Sequence, residues 1–192
     1  ALPISMKKYN YEDLYKEADL FNTWYAPYYN TKLTSPNKRR MIRKIIKKLI
    51  SKIKLPNNIF VHRDFHVSNM MYKNNKIYLI DSQDAVIGNP AYDLASLIDD
   101  VRYKSSYLLK KKIYLYFLQK NKKIDKKSFL NDFLILSVLR NLKILGIFTR
   151  LAKRDKKKNY LKLIPYTWKL IKLRTNGNMI FNELISCINN KK

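Results

Sequence analysis

Glycine is scarce in this chain: three residues in 192, at positions 88, 146 and 177. Cysteine is scarcer still. The single Cys187 excludes an internal disulfide and suits a reducing compartment, so a cytoplasmic location is expected. Two histidines, His62 and His66, are far from that cysteine in sequence, which argues against a zinc site. No uninterrupted apolar run approaches the roughly 18 residues of a membrane span. The longest candidate, 129–152, is broken by Asp132, Arg140, Lys143 and Arg150. The opening ALPIS lacks the basic segment and apolar core of a signal peptide. Acidic residues are also few, 14 against 40 lysines and arginines.

What is present is enough to fold. Hydrophobic residues make up 46% of the chain and aromatics 13%, and the length suits one domain with a real core over 1–192. The net charge of +26 invites a nucleic-acid reading. The lysines, however, are spread over almost every segment and accompany no recognition motif, so no nucleic-acid partner is expected. A basic surface is equally compatible with an enzyme of anionic substrates.

Chemistry concentrates in residues 60–97. The run Ile59-Phe60-Val61 reads as a buried strand leading to Asp64. Met70-Met71-Tyr72 and Lys76-Ile77-Tyr78-Leu79-Ile80 read as strands joined by the turn signal Asn74-Asn75. Paired as a hairpin, they bring Asn69, at the start of one strand, beside Asp81, at the end of the other. An amide oxygen and a carboxylate at one point suit Mg²⁺, a hard cation, and leave Asp64 to take a proton from a hydroxyl. His62 reads as a packed residue that fixes this loop, with Arg63 supporting it. His66 has two readings, the acceptor pocket or a surface hydrogen bond. Asp84 either helps a second metal or fixes the turn. A glycosidase pairing of Asp81 with Asp84 leaves Asn69 and the loop spacing unexplained.

Histidine, one residue, aspartate, four residues, asparagine, then a strand ending in aspartate is the catalytic spacing of kinase-like phosphotransferases. On these residues the chain resembles the aminoglycoside phosphotransferase/choline kinase family. It looks most like the bacterial sugar kinases that phosphorylate N-acetylmuramate and N-acetylglucosamine at the anomeric position. The closer likeness lies in His62-Arg63-Asp64-Phe65-His66-Val67, Asp81-Ser82-Gln83-Asp84-Ala85, the segment 90–97, and 140–150. It runs from about residue 11 to about residue 172.

The resemblance implies an α+β, mostly helical fold, the C-terminal lobe of the protein-kinase-like architecture with a small catalytic hairpin. It implies ATP and Mg²⁺ as cofactors, a small-molecule amino-sugar acceptor, and neither nucleic acid nor membrane as partner. Asp64 is then the base, and Asn69 and Asp81 the metal ligands. Asp93 braces the loop from behind, its alternative being a simple helix cap. Arg140, Asn141 and Lys143 contact the sugar, their alternative being a polar face turned to solvent. A small lobe would supply a glycine-rich loop and a lysine for the phosphates. No glycine precedes the catalytic loop, so that lobe is expected to be absent from these 192 residues and the isolated chain inactive. Two rival functions remain at this stage: an aminoglycoside or choline-type kinase, and a non-catalytic binding module derived from a kinase.

Elsewhere the pattern predicts helices. One covers 11–25, with Leu14, Ala18 and Phe21 in a stripe and Glu17 either on a solvated face or lining the acceptor pocket. A basic amphipathic helix capped by Ser35 runs to about 54. Others cover 90–97, with Asn89 as cap, then 103–119, about 125–152, 160–173 and 179–188. No distinct N-terminal element is expected.

Overall fold

A computed structural model describes residues 6–189. In chain order the helices and strands are α1 (Tyr11–Ala18), α2 (Ala26–Tyr29), α3 (Pro36–Ile50), β1 (Ile59–Val61), β2 (Met70–Lys73), β3 (Lys76–Leu79), β4 (Val86–Gly88), α4 (Tyr92–Ile98), α5 (Tyr107–Lys120), α6 (Lys126–Lys153), α7 (Ile164–Thr175) and α8 (Asn182–Asn189). The protein is mostly helical, with two small antiparallel sheets. Among the described residues no helix is long and apolar enough to cross a membrane. The described residues divide into two compact units, 6–10 with 54–136 and 11–53 with 137–189.

The first unit holds both sheets. Asn74 and Asn75 take φ of 50° and 57°, the left-handed pair a two-residue hairpin needs and which asparagine tolerates. They set β2 against β3 with Met70 opposite Leu79 and Lys73 opposite Lys76. The hairpin lies open: Tyr72 is 72% exposed, Ile77 68% and Met71 57%. β1 pairs with β4, Phe60 opposite Ile87. The expectation of a buried strand at 59–61 is corrected, because Ile59 and Phe60 are exposed and only Val61 points into the core. The other edge of β4 is taken by residues 7–9, where no element was expected. Ile87 donates to the Lys7 carbonyl at 2.9 Å, and Tyr9 donates to that of Ile87 at 2.8 Å. Tyr92, Ile98, Phe129 and Phe133 fill the core beneath α4, and Tyr114 of α5 tilts over Phe133 at 5.0 Å.

Asp132 organises that core. It is fully buried and accepts from the amides of Lys54 and Leu55, both at 2.8 Å, and from the side chains of Asn89 and Asn131, at 2.8 and 2.9 Å. A buried carboxylate is tolerated when its lone pairs are filled in this way. Asn89 sits one step further back than expected: its side chain accepts from Ala91 and the helix begins at Tyr92, leaving Pro90 outside.

The second unit packs α1, α3, α7 and α8 with the later part of α6. Ser35 caps α3 by accepting from Lys38, and Pro36 takes the first turn. Ile42, Ile45, Ile46, Leu49 and Ile50 are buried, so this helix packs on a core. It stops at Ile50, and Ile53 lies beyond it. The helix predicted over 11–25 changes pitch: α1 ends at Ala18 and Phe21–Tyr25 form a π-helical turn. There Tyr25 accepts from the Trp168 indole at 2.8 Å, and burial pushes its phenol up against the pull of that bond. Pro165 stands in the first turn of α7 and does not kink it. Gly146 touches backbone: a Cβ there would lie 2.4 Å from the Leu20 carbonyl oxygen.

Candidate active site

The loop between β1 and β2 is held by three elements of the first unit. From α4, the Asp93 carboxylate accepts the amide of His62 at 2.6 Å and that of Arg63 at 3.1 Å. These bonds stabilise Arg63 at φ 69°, a left-handed conformation that costs a non-glycine residue about 1 kcal/mol or more. Beyond the end of α4, the buried Asp100 accepts the Val67 amide at 3.4 Å and the Arg102 amide at 2.9 Å. From the end of β3, the Ile80 carbonyl meets the buried His62 ring at Nε2, 3.1 Å away. The Arg63 guanidinium lies 5.2 Å from the Tyr9 ring centre and donates to the Asp84 carbonyl at 3.2 Å.

Within this frame Asn69 and Asp81 come together as the hairpin requires. The Ile80 amide donates to the Asn69 carbonyl at 3.1 Å, which sets Asp81, the next residue, beside the start of β2. The Asn69 side-chain nitrogen donates to the Asp64 carbonyl at 3.0 Å, leaving its amide oxygen for another partner. Asp81, at φ 70°, accepts from Gln83 at 2.6 Å through Oδ1, leaving Oδ2. Two oxygens remain, one neutral and one charged, which is the donor chemistry of a hard cation that brings its own waters and phosphates. Among the described residues no group of three or more His, Cys, Asp or Glu side chains forms a metal cage. The Asp64 side chain is half-buried, and among the described residues nothing bonds to its carboxylate.

His66 is buried, at 7% exposure, so the surface reading of its side chain is corrected. Asp84 is exposed and meets Arg63 through its carbonyl. Arg140, Asn141 and Lys143 belong to the second unit. The solvent-facing alternative is corrected there too: Arg140 is 6% exposed and Asn141 fully buried. Lys143 pairs with Glu17 at 2.9 Å, so Glu17 is not on a solvated face.

Three contacts escaped the sequence reading: Gln83 on Asp81, Asp100 on Val67, and the Tyr9 ring under Arg63. Asp100 follows Asp93 by seven residues, a spacing that was available as a signal. Tyr9 left none, because it arrives from a remote segment.

A loop of this spacing, braced by a helix carboxylate and closed by a hairpin, is the arrangement that the sequence likened to phosphotransferases. The chain belongs to the phosphotransferase enzyme family, whose model matches residues 9–110, more than half of its length. Relatives narrow the likeness. A Caulobacter vibrioides protein described as N-acetylmuramate/N-acetylglucosamine kinase is 34% identical over 115 residues, 57% of this chain and 32% of the relative. A Neisseria meningitidis serogroup B protein of the same description is 27% identical over 166 residues, 83% of this chain and 50% of the relative. One from Pseudomonas aeruginosa is 30% identical over 164 residues, covering 79% and 47%. The chain spans half or less of the length of these relatives.

Proposed function

We propose that this chain carries the catalytic part of an ATP-dependent, cytoplasmic sugar kinase. It directs the γ-phosphoryl group to the anomeric hydroxyl of N-acetylmuramate or N-acetylglucosamine in cell-wall recycling. The observation that carries the reading is the 3.1 Å bond from Ile80 to Asn69, which gathers an amide oxygen and a carboxylate next to Asp64. Asp64 orients the acceptor hydroxyl and takes its proton. Asn69 and Asp81 would hold Mg²⁺, which would supply positive charge to offset that of the phosphates. Asp93, His62 and Arg63 keep the loop in its strained shape, so catalysis is mainly positioning and electrostatics. Residues 1–192 are the C-terminal lobe of the kinase-like fold. A phosphate-covering glycine loop has no counterpart before Gly88, and the 192 residues alone bind Mg·ATP weakly.

The relatives' description favours an amino sugar, and charge agrees with it. An aminoglycoside is a polycation whose pocket needs carboxylates. Only 14 acidic residues face 40 basic ones here, and of those near the loop Asp93 and Asp100 are engaged with amides and Asp64 and Asp81 are assigned to base and metal. The test is phosphoryl transfer by the full-length protein to N-acetylmuramate, N-acetylglucosamine and kanamycin, alongside Asp64→Asn. General-base assistance contributes roughly 10²–10⁴-fold, and Asp64→Asn loses at least that in kcat with its fold intact. Near-parental turnover in this variant overturns the base. A higher kcat/KM for kanamycin overturns the acceptor while leaving the kinase.

A further inference from the structure

The helix α5 carries apolar side chains on both sides. Its inner side packs within the first unit: Phe117 stacks on Phe129 at 5.0 Å, and the buried Lys110 reaches the Ile98 carbonyl and, at 3.4 Å, Asp99. Its outer side is apolar again and lies open. Leu108 is 75% exposed and Leu115 51%. They are two turns apart, so they stand in one line along the helix. Tyr107 and Tyr116 are exposed beside them. Apolar residues all round a helix are the mark of one covered all round. Basic charge accompanies this stripe. Lys111 and Lys112 fall between the two leucines, and Lys120, Lys122 and Lys123 continue past the second. From 103 to 127, eight exposed lysines accompany one exposed carboxylate, Asp125, which the Ser128 amide already engages at 3.0 Å.

We propose that this face of the first unit is a docking surface for an anionic lipid membrane, on which α5 lies flat. Charge complementarity selects the partner. A second copy of a chain with a net charge of +26 is repelled. A nucleic acid would meet the lysines but leave both leucines in water, since its bases stack on aromatic side chains. An anionic bilayer satisfies every part of the face. Leu108 and Leu115 enter the boundary of the acyl chains, and the tyrosine hydroxyls stay at headgroup level. The lysine stems lie along the apolar surface with their ammonium groups at the lipid phosphates. The family resemblance implies no membrane partner, so this surface goes beyond it. The attachment is peripheral, as no described helix is long and apolar enough to cross a bilayer.

The experiment sediments the full-length protein with vesicles, either phosphatidylcholine alone or phosphatidylcholine and phosphatidylglycerol in equal parts. The parent is expected on the anionic vesicles only. Leu108→Ser with Leu115→Ser leaves the charge unchanged and weakens binding about tenfold or more, the worth of burying a leucine. A lysine at an anionic surface contributes about fivefold. Lys111→Gln, Lys112→Gln, Lys122→Gln and Lys123→Gln together therefore weaken it about a hundredfold. Lys156→Gln, Lys157→Gln, Lys158→Gln and Lys162→Gln together remove the same charge elsewhere and leave most of the affinity. All these side chains are exposed, and parental unfolding midpoints verify that each variant folds. Equal losses in the two lysine variants, or a leucine variant that binds as the parent does, reduce the effect to net charge and overturn the surface. A parent that ignores anionic vesicles overturns it as well. Capture of a homopolymeric RNA that the leucine variant loses, with vesicles ignored, gives the face to a nucleic acid instead.

Discussion

The Ile80 amide and the Asn69 carbonyl meet at 3.1 Å, one step past the end of the hairpin ladder. That bond makes Asn69 and Asp81 neighbours although twelve residues separate them in sequence. Asn69→Ala and Asp81→Ala are expected to raise the Mg²⁺ concentration needed for half-maximal activity. The effect is larger for Asp81, which brings a full negative charge. Titration of activity with Mg²⁺ measures both, and curves that overlay the parent's would show that the hairpin does not build the metal site.

Asp132→Ala removes the acceptor of four donors at once. The amides of Lys54 and Leu55, at the partly open end of this network, lose their acceptor, and the buried Asn89 side chain keeps only its 3.2 Å bond to the Leu55 carbonyl. A buried donor left unsatisfied costs about 1–3 kcal/mol, and because the Lys54 and Leu55 amides can meet water, a loss of about that size is expected. Urea unfolding reports it as a lower midpoint at similar slope, and Asp132→Asn lies between variant and parent.

Gly146→Ala is expected to be harmful although alanine is the better helix former. The added methyl meets the Leu20 carbonyl at 2.4 Å, and backbone cannot step aside as a side-chain tip can. Overpacking of this kind costs roughly 1–3 kcal/mol. A thermal midpoint equal to the parent's or higher would mean that the two segments separate without penalty.

Asp125 supplies an acid-sensitive anchor for α6. The Ser128 hydroxyl, followed by the Ser128 amide that donates to its carboxylate at 3.0 Å, holds the group below its usual pKa of 3.8. A depressed carboxyl stabilises the fold fully above its unfolded pKa and loses that contribution as pH falls through the lower folded value. Asp125→Asn keeps a capping oxygen but has no proton to gain. Its stability, followed from pH 5 down to pH 2, should therefore fall less steeply than the parent's.

The parts that could be read from the sequence are those set by near neighbours. Two asparagines at 74 and 75 announce a left-handed turn, and the apolar runs 70–72 and 77–80 on either side leave one register. Ser35 before Pro36 announces the start of α3, and the isoleucines that follow mark its buried face. The spacing from His62 to Asp81 was legible for the same reason, since loop and hairpin are continuous chain. What escaped depends on partners far away. Whether Ile59 and Phe60 are covered is decided by what packs over β1, not by their own hydrophobicity. Residues 7–9 form a single bridge to Ile87 only because β4 offers a free edge. Asp132 looked like an interruption in an apolar helix, and four donors converging from three segments made it a hub. Arg140 carries two sequence readings, a sugar contact or a solvent-facing polar side, and its burial excludes the second.

The open β2–β3 hairpin also bears on how the chain behaves in bulk. A two-stranded sheet has no interior strand, so each strand offers an unpaired edge to a neighbouring molecule. Here those edges carry Met71, Tyr72, Ile77 and Tyr78, all exposed. Facing lysines at 73 and 76 guard the turn, and a charge of +26 repels every other copy. That repulsion reaches about 10 Å at 0.1 M salt and about 3 Å at 1 M. Ionic strength, more than heat, therefore governs colloidal stability: a dilute buffer keeps the molecules dispersed, and concentrated salt lets exposed strands find one another.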